Sequence, residues 1–539
     1  MESKNTGIQN SAISDVSYSW DKIEDGAKRM TIIPFFMHFI ISFVHGYRAI
    51  VLSHRRCTLF SFMSRKYHQS RPKFVQRLNV DNNEASTVVM NLCKKFPMES
   101  MDAPFTSFEE KNFQIMNREQ LRPVISPLQP SPVEILSIRG RDVFIKRDDL
   151  LRLENSNVSG NKARKMLALN QLPAKEFPTY LISYGGSQSN AMLALAAIVQ
   201  SKNRELNNER NPETPTGYER ELGCKEELSP QHVTSHPVSQ KRFIYYSKKL
   251  PRFLKKNPSG NYSRAKTLGM EMIELSNDKF HDLFGGAWGG KHDVPMELLP
   301  PGSGDSIWIP QGGACDYARL GCRLLAYEIF HFWSLQGNGR PLSVFVPGGT
   351  CTTALWVHQE LQALQATSCL SALMDIQVTV IPCVGDDGYA ERQMMALNMA
   401  TGGKGNVDEI PKVLKPAPES SFYLEESNHQ SYFRFGDPNS EILETFRELE
   451  RAGLNVDLLY GAPSWNILLR HWPLEDMENV CNSKFMDGRE IMYVHSGGLE
   501  GVNSQLMRYR HSGLIEGEEV QHPERQRWSS KSFLEKNIG

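Results

Sequence analysis

The chain has 539 residues, too many for one ordinary domain, and its Lys+Arg and Asp+Glu totals are both 61, for a net charge of zero. That balance gives no support to nucleic-acid binding. The nine cysteines are scattered, without CxxC pairs or zinc-spaced Cys/His clusters, which favours a reducing compartment. No HExxH, GK[ST] phosphate loop or GxSxG elbow occurs, so the main metalloprotease, nucleotide and hydrolase readings lose their support.

Residues 1–115 differ in composition from the rest of the chain. Met30 to Tyr47, "MTIIPFFMHFIISFVHGY", is apolar and uncharged, with Lys28 and Arg29 before it and Arg48, Arg55 and Arg56 after it. No acidic residue lies between Asp25 and Asp81. This composition predicts a mostly unstructured extension that targets the chain to an organelle, a mitochondrion or plastid. The competing reading is a membrane contact or anchor through residues 30–52, against which stand Pro34 and His38. A cytoplasmic protein is the remaining option, and Met30 is an alternative start to Met1.

From about Arg122 strands and helices alternate. "DVFIKRDDL" predicts a strand. In "SNVSGNKARKMLALN" a Ser-Gly-Asn turn opens a helix, on which about 100° per residue places Lys162, Met166 and Leu169 in one apolar stripe, with Arg164 turned towards solvent. A lysine snorkelling at a helix end is the bland account of Lys162. The functional account is a lysine kept neutral or covalently engaged, as Schiff-base lysines are. "TYLISYGGSQSNAMLALAAIVQ" predicts a strand, a turn with Ser187, Ser189 and Asn190, and an apolar helix. The stretch from about 201 to 240 is polar and reads as a surface insertion.

"SIWIPQGGACDYARLGCRLLAYEIF" and "LSVFVPGGTCTTALWVHQELQALQ" each read as strand, Gly-rich turn and helix, and "DIQVTVIPC" as another strand. In the second, Gly348 and Gly349 meet Thr350, Cys351, Thr352 and Thr353 at a helix start, a place that favours an anion. With no GK[ST] following, the pattern fits a cofactor monophosphate; an ordinary turn with threonine caps fits it too. "NVDLLYGAPSW" places Tyr460 at a predicted strand end, and "REIMYVHSGGLEG" places Ser496 just past another. His495 reads as a core histidine. From Gly513 the chain is a polar tail.

A phosphate cradle, an amine and neutral hydroxyls are the parts that a pyridoxal 5'-phosphate site requires. "IKRDDL … SGNKARKM", "GGSQSN", "PQGGACDYARLGC", "GGTCTTA", "VDLLYGA" and "VHSGGLEG" together resemble the D-cysteine desulfhydrase and 1-aminocyclopropane-1-carboxylate (ACC) deaminase family, of the tryptophan-synthase β-like fold type II, over about residues 120–510. The resemblance implies an α/β fold of two domains with parallel-rich sheets flanked by helices. Residues 116–165 with 330–512 would form the larger, cofactor-binding domain and 166–329 the smaller, with 513–539 outside. It also implies a homodimer acting on a small amino acid.

By the same resemblance Lys162 is the Schiff-base lysine and moves the Cα proton. Asn190 meets the cofactor's ring hydroxyl, Ser189 the substrate, and Gly349, Thr350, Cys351, Thr352 and Thr353 the phosphate. Tyr460 flanks the ring, and Ser496 faces its nitrogen. The implied reaction is β-elimination of sulfide from D-cysteine. Three departures stand out: Ala191, Met192 and Leu193 follow Asn190, Gly461 follows Tyr460 where ACC deaminases carry an acidic residue, and Cys351 replaces a common glycine. ACC deamination, another amino-acid β-elimination, and a non-catalytic cofactor-binding protein are the alternatives.

Overall fold

A computed structural model describes residues 113–125, 129–210, 240–285, 298–299, 305–367, 374–414, 434–472 and 488–516. The expected targeting segment and membrane contact at 30–52, the insertion beyond residue 210, and the tail past 516 lie outside the described residues. Among the described residues no helix is long and apolar enough to cross a membrane, and no His/Cys/Asp/Glu group is placed to hold a metal.

The expected α/β fold with parallel-rich sheets is present. β1 (Val133–Ile138) and β2 (Arg141–Lys146) form an antiparallel hairpin whose two turn residues, Arg139 and Gly140, take positive φ of 50° and 75°. Such turns match the right-handed twist of paired strands. With β7 (Leu342–Gly348), β8 (Ile376–Pro382), β9 (Lys412–Val413) and β10 (Glu490–Val494) they make a six-stranded sheet, ordered β1-β2-β10-β7-β8-β9 and parallel apart from the hairpin. A second sheet holds β3 (Tyr180–Tyr184), β4 (Arg242–Lys248), β5 (Met270–Leu275) and β6 (Ser306–Ile309), ordered β5-β4-β3-β6 and parallel throughout.

The inner strands of both sheets are covered on two faces, so they read as nearly continuous apolar runs. In β7, Val344 and Val346 pack with Leu325, Ile329 and Trp356, while Phe345 between them packs on the other face with Phe446, Trp465 and Leu468. Side chains one residue apart on a strand point to opposite faces. In the smaller sheet Leu181 joins Met192, Leu195 and Val199, and Ile182 joins Ile244 and Tyr246.

Three expectations need correction. The helix begun at Asn190 continues to Arg210, with Ser201 and Lys202 buried, so the polar stretch does not leave the fold at residue 201. Tyr460 ends no strand: it precedes the helix Gly461–Arg470, where the Asp457 carboxylate accepts from the backbone N–H groups of Leu459, Tyr460 and Gly461 at 2.7, 2.8 and 3.0 Å. Ile515, placed in the tail by its sequence, is buried at 6% exposure and packs into the core.

Candidate active site

Lys162 lies on a helix of only six residues, Gly160–Lys165, and the turn breaks at Met166, where φ is −98° and ψ is 6°. The stripe drawn through Met166 and Leu169 is therefore not one helix face. Those two side chains are core, whereas Lys162 opens into a cavity. Burial, with Lys165 beside it, pushes the Lys162 amine down to about 7, although the Asp457 carboxylate opposes this. A neutral amine near pH 7 is a nucleophile and a base.

Arg164 is the larger surprise. Expected in solvent, it is fully buried and binds Asp148 at 2.8 and 3.1 Å and Glu328 at 2.6 and 2.8 Å. Lys146 binds Glu328 at 2.6 Å and the Ser131 carbonyl, and the Ser131 hydroxyl binds Asp148 at 2.5 Å. Two cations and two anions thus cancel inside the protein, which a buried charge requires. The alternate residues of the motif serve a separate set, in which Arg147 pairs with Glu134 and Asp149. Close by, the Lys162 helix passes the helix Arg319–Gln336 at Gly321, where a Cβ would lie 2.0 Å from the Arg164 carbonyl. The lysine is thus carried on a short helix clamped by ion pairs on the side away from the cavity.

The Gly349–Thr353 turn lines the same cavity, at the start of the helix Thr352–Thr367. Among the described residues no hydrogen bond is made by the backbone N–H groups of Thr350, Cys351, Thr352 or Thr353. Lys165, also buried, reaches the Thr350 hydroxyl at 3.3 Å and the Gly312 carbonyl at 3.2 Å. Free N–H groups at a helix start beside a lysine make a place for a compact anion such as a phosphate. Gly349 must be glycine, because a Cβ there would lie 2.9 Å from the Tyr460 ring. Cys351 holds a left-handed φ of 54°, the conformation in which glycine is ordinary and other residues are strained. Thr353 gives its hydroxyl to Asn161 Oδ1 at 2.6 Å.

Lys162, Asn190, Gly349, Thr350, Cys351, Thr352, Thr353, Tyr460 and Ser496 all line this one cavity. Ser189 is not among the lining residues; its hydroxyl accepts from the N–H groups of Ala191 and Met192 at 3.2 and 3.4 Å, as a helix cap does. The Ser496 hydroxyl has no hydrogen bond among the described residues, while its carbonyl accepts from Asn161 at 2.9 Å. His495 is a buried core histidine on the Asn455 carbonyl at 2.6 Å. From the helix Asn190–Arg210, Leu193, Ala194 and Ala197 add an apolar wall.

Sequence reasoning missed Lys165, Asn161 and Asp457. Lys165 was visible as the second lysine of "GNKARK", three residues on and so on the same helix face. Burial raises the Asp457 carboxyl above its ordinary range despite its three backbone donors.

No protein-family model matches the chain, and no curated protein matches it in sequence. Among solved structures, an ACC deaminase homologue is similar at TM-score 0.47 and 18% identity, over 76% of this chain and 98% of that one. An O-acetyl serine sulfhydrylase isoform 3 from Entamoeba histolytica is similar at TM-score 0.39 and 10% identity, over 75% and 96%. A fungal L-serine ammonia-lyase from Rhizomucor miehei is similar at TM-score 0.36 and 14% identity, over 71% and 97%. The functional reading rests on this chain's own residues.

Proposed function

We propose that the chain is a pyridoxal-phosphate-dependent lyase of the D-cysteine desulfhydrase kind, which with one water converts D-cysteine to hydrogen sulfide, pyruvate and ammonia. One observation carries the reading. A single cavity collects a lysine lowered to about 7 with, among the described residues, a run of unpaired N–H groups at a helix start and a free serine hydroxyl, from widely separated parts of the chain.

The residues fit the cofactor. The Gly349–Thr353 backbone and Lys165 would hold its phosphate, Asn190 its ring oxygen, Tyr460 one flank of the ring and Ser496 its nitrogen. When bound, the group supplies an electron sink for the Cα carbanion. Lys162 is the base on the chain: its low pKa lets it take the Cα proton at neutral pH and hand it to the departing sulfur. A hydroxyl at Ser496, unlike a carboxylate, does not favour a protonated ring nitrogen, and this suits loss of a good leaving group over transamination. Gly461 offers no side chain where an acidic group would serve ring opening of ACC, and its N–H is bound to Asp457 at 3.0 Å.

A second reading, a cofactor-binding protein without catalysis, is favoured by the apolar wall of Leu193, Ala194 and Ala197, which offers no side-chain donor to a substrate carboxylate. The test is the absorption spectrum of the full chain with pyridoxal phosphate, before and after D-cysteine, with sulfide and pyruvate measured. A violet band that Lys162→Ala abolishes, and that changes with substrate as sulfide appears, supports the lyase. A band indifferent to D-cysteine, L-cysteine and ACC supports the second reading. 2-Oxobutyrate from ACC would identify a deaminase, and no band at all would remove both readings.

A further inference from the structure

Asn261 lies at the start of the helix Gly260–Thr267 and is 3% exposed. It does not line the cavity, yet it touches a residue that does. Its amide nitrogen donates to the backbone carbonyl of Gln188 at 3.1 Å and to Asn190 Oδ1 at 2.6 Å. Its own backbone N–H donates to Gln188 Oε1 at 2.8 Å, and Gln188 Nε2 donates to the Ser259 carbonyl at 3.1 Å. The approach is tight enough to require glycine at position 260, where φ is +62° and a Cβ would lie 2.5 Å from Gln188 Oε1.

This arrangement has a polarity. A backbone carbonyl only accepts, so the Asn261 atom facing Gln188 O must be the NH2. The second hydrogen of that NH2 points at Asn190, so the Asn190 atom receiving it must be the oxygen. The Asn190 amide is thereby fixed, with Oδ1 on Asn261 and Nδ2 on the other side. On that other side lies Gly498, a cavity-lining residue, where a Cβ would lie 3.4 Å from Asn190 Nδ2.

We infer that Asn261 is a positioning residue that makes Asn190 a hydrogen-bond donor to the cavity. Whatever ligand atom meets Asn190 must then be an acceptor. On the pyridoxal phosphate reading, on which this inference rests, that atom is the ring oxygen in its ionised form, not its protonated hydroxyl. Among the described residues the Oδ1 of Asn261 is buried without a hydrogen-bond donor, so the side chain serves the Gln188 carbonyl and Asn190 Oδ1 at the expense of its own oxygen.

The test compares Asn261→Asp and Asn261→Leu with the wild type, as full chains loaded with pyridoxal phosphate. Three readouts are taken: melting temperature, attachment to Lys162 by borohydride trapping and mass spectrometry, and the ratio of violet to near-ultraviolet absorption across pH. The violet band belongs to the ionised ring oxygen and the near-ultraviolet band to the protonated one. Asn261→Asp sets an acceptor against Gln188 O and lets Asn190 turn its NH2 away from the cavity. The expected result is cofactor still on Lys162, with the band ratio moved about tenfold towards the near-ultraviolet, the effect of losing one hydrogen bond to a charged atom.

Asn261→Leu, which removes the unpaired oxygen and keeps the volume, should shift the ratio in the same direction while melting no lower than Asn261→Asp. A merely structural role would lower occupancy or melting temperature and leave the ratio of the bound fraction unchanged. That outcome, in either folded variant, overturns the inference and leaves the cofactor reading intact. No band in the wild type removes the cofactor reading and this inference together.

Discussion

The Thr353 hydroxyl donates to Asn161 Oδ1 at 2.6 Å, joining two residues 192 positions apart. Asn161 is the neighbour of Lys162, and Thr353 ends the Gly349–Thr353 turn, so one bond ties together two of the segments that line the cavity. Thr353→Val keeps the shape and removes the donor, leaving a half-buried acceptor unpaired. The expected loss is ~1–3 kcal/mol in urea unfolding, and Thr353→Ser should recover most of it.

Lys162 should react with aldehydes at neutral pH. With its amine at about 7, borohydride trapping of pyridoxal phosphate followed by peptide mass spectrometry should label it with a midpoint near pH 7, against 10.5 for an ordinary lysine. A midpoint above 9 would contradict the burial described.

The same shift makes the cofactor-free protein sensitive to pH. Between about 7 and 10.5 the unfolded chain carries the Lys162 proton and the folded chain does not, so stability rises with pH across that window. Below 7 the cost of burying the charged amine is felt in full. Lys162→Met should remove the slope, leave the protein more stable than wild type at pH 6, and abolish labelling; melting curves at several pH values decide it.

Arg164→Ala should cost ~3–5 kcal/mol, because Asp148 and Glu328 are left buried with Lys146 as the remaining partner. Burial alone would raise the Asp148 carboxyl, but Arg164 and Lys146 outweigh it and hold the group below its ordinary 3.8. Its contribution is therefore complete above that value and is lost as pH falls through the lowered pKa. Acid titration of wild type against Asp148→Asn should show that loss only in the wild type.

Cys351 reverses an ordinary order. At most buried positions alanine is better than glycine, but at φ 54° an L side chain costs roughly 1–2 kcal/mol. Cys351→Gly should therefore melt above Cys351→Ala; the opposite order would mean that the thiol's packing, not the backbone, sets the preference.

The strands that sequence reading located, β2, β3, β6, β7, β8 and β10, carry apolar runs broken by Gly-rich turns. β4 and β5 escaped notice, because "RFIYYSK" emerges straight from a polar stretch and "MEMIEL" places two glutamates among its apolar residues. Nine of the cavity's lining residues were legible because they sit where a strand or loop meets a helix, whereas Asn161 and Lys165 were passed over beside Lys162. Arg164 was not legible, because its partner Glu328 is 164 residues away and a helical wheel cannot see it. Nor was the turn at Asp457, where one carboxylate binding three N–H groups replaces the strand that "VDLL" suggests.

β10, the last strand among the described residues, lies between β2 and β7 and so joins the first hairpin to the rest of its sheet. During synthesis the hairpin and the Lys162 helix emerge early, yet their place in the sheet is vacant until Val494 has left the ribosome. Ser496, whose carbonyl receives the first turn of that helix, arrives later still. Chains that end before Glu490 carry the lysine without β10 and without Ser496, so the cavity lacks one of its lining residues until that stretch has been made.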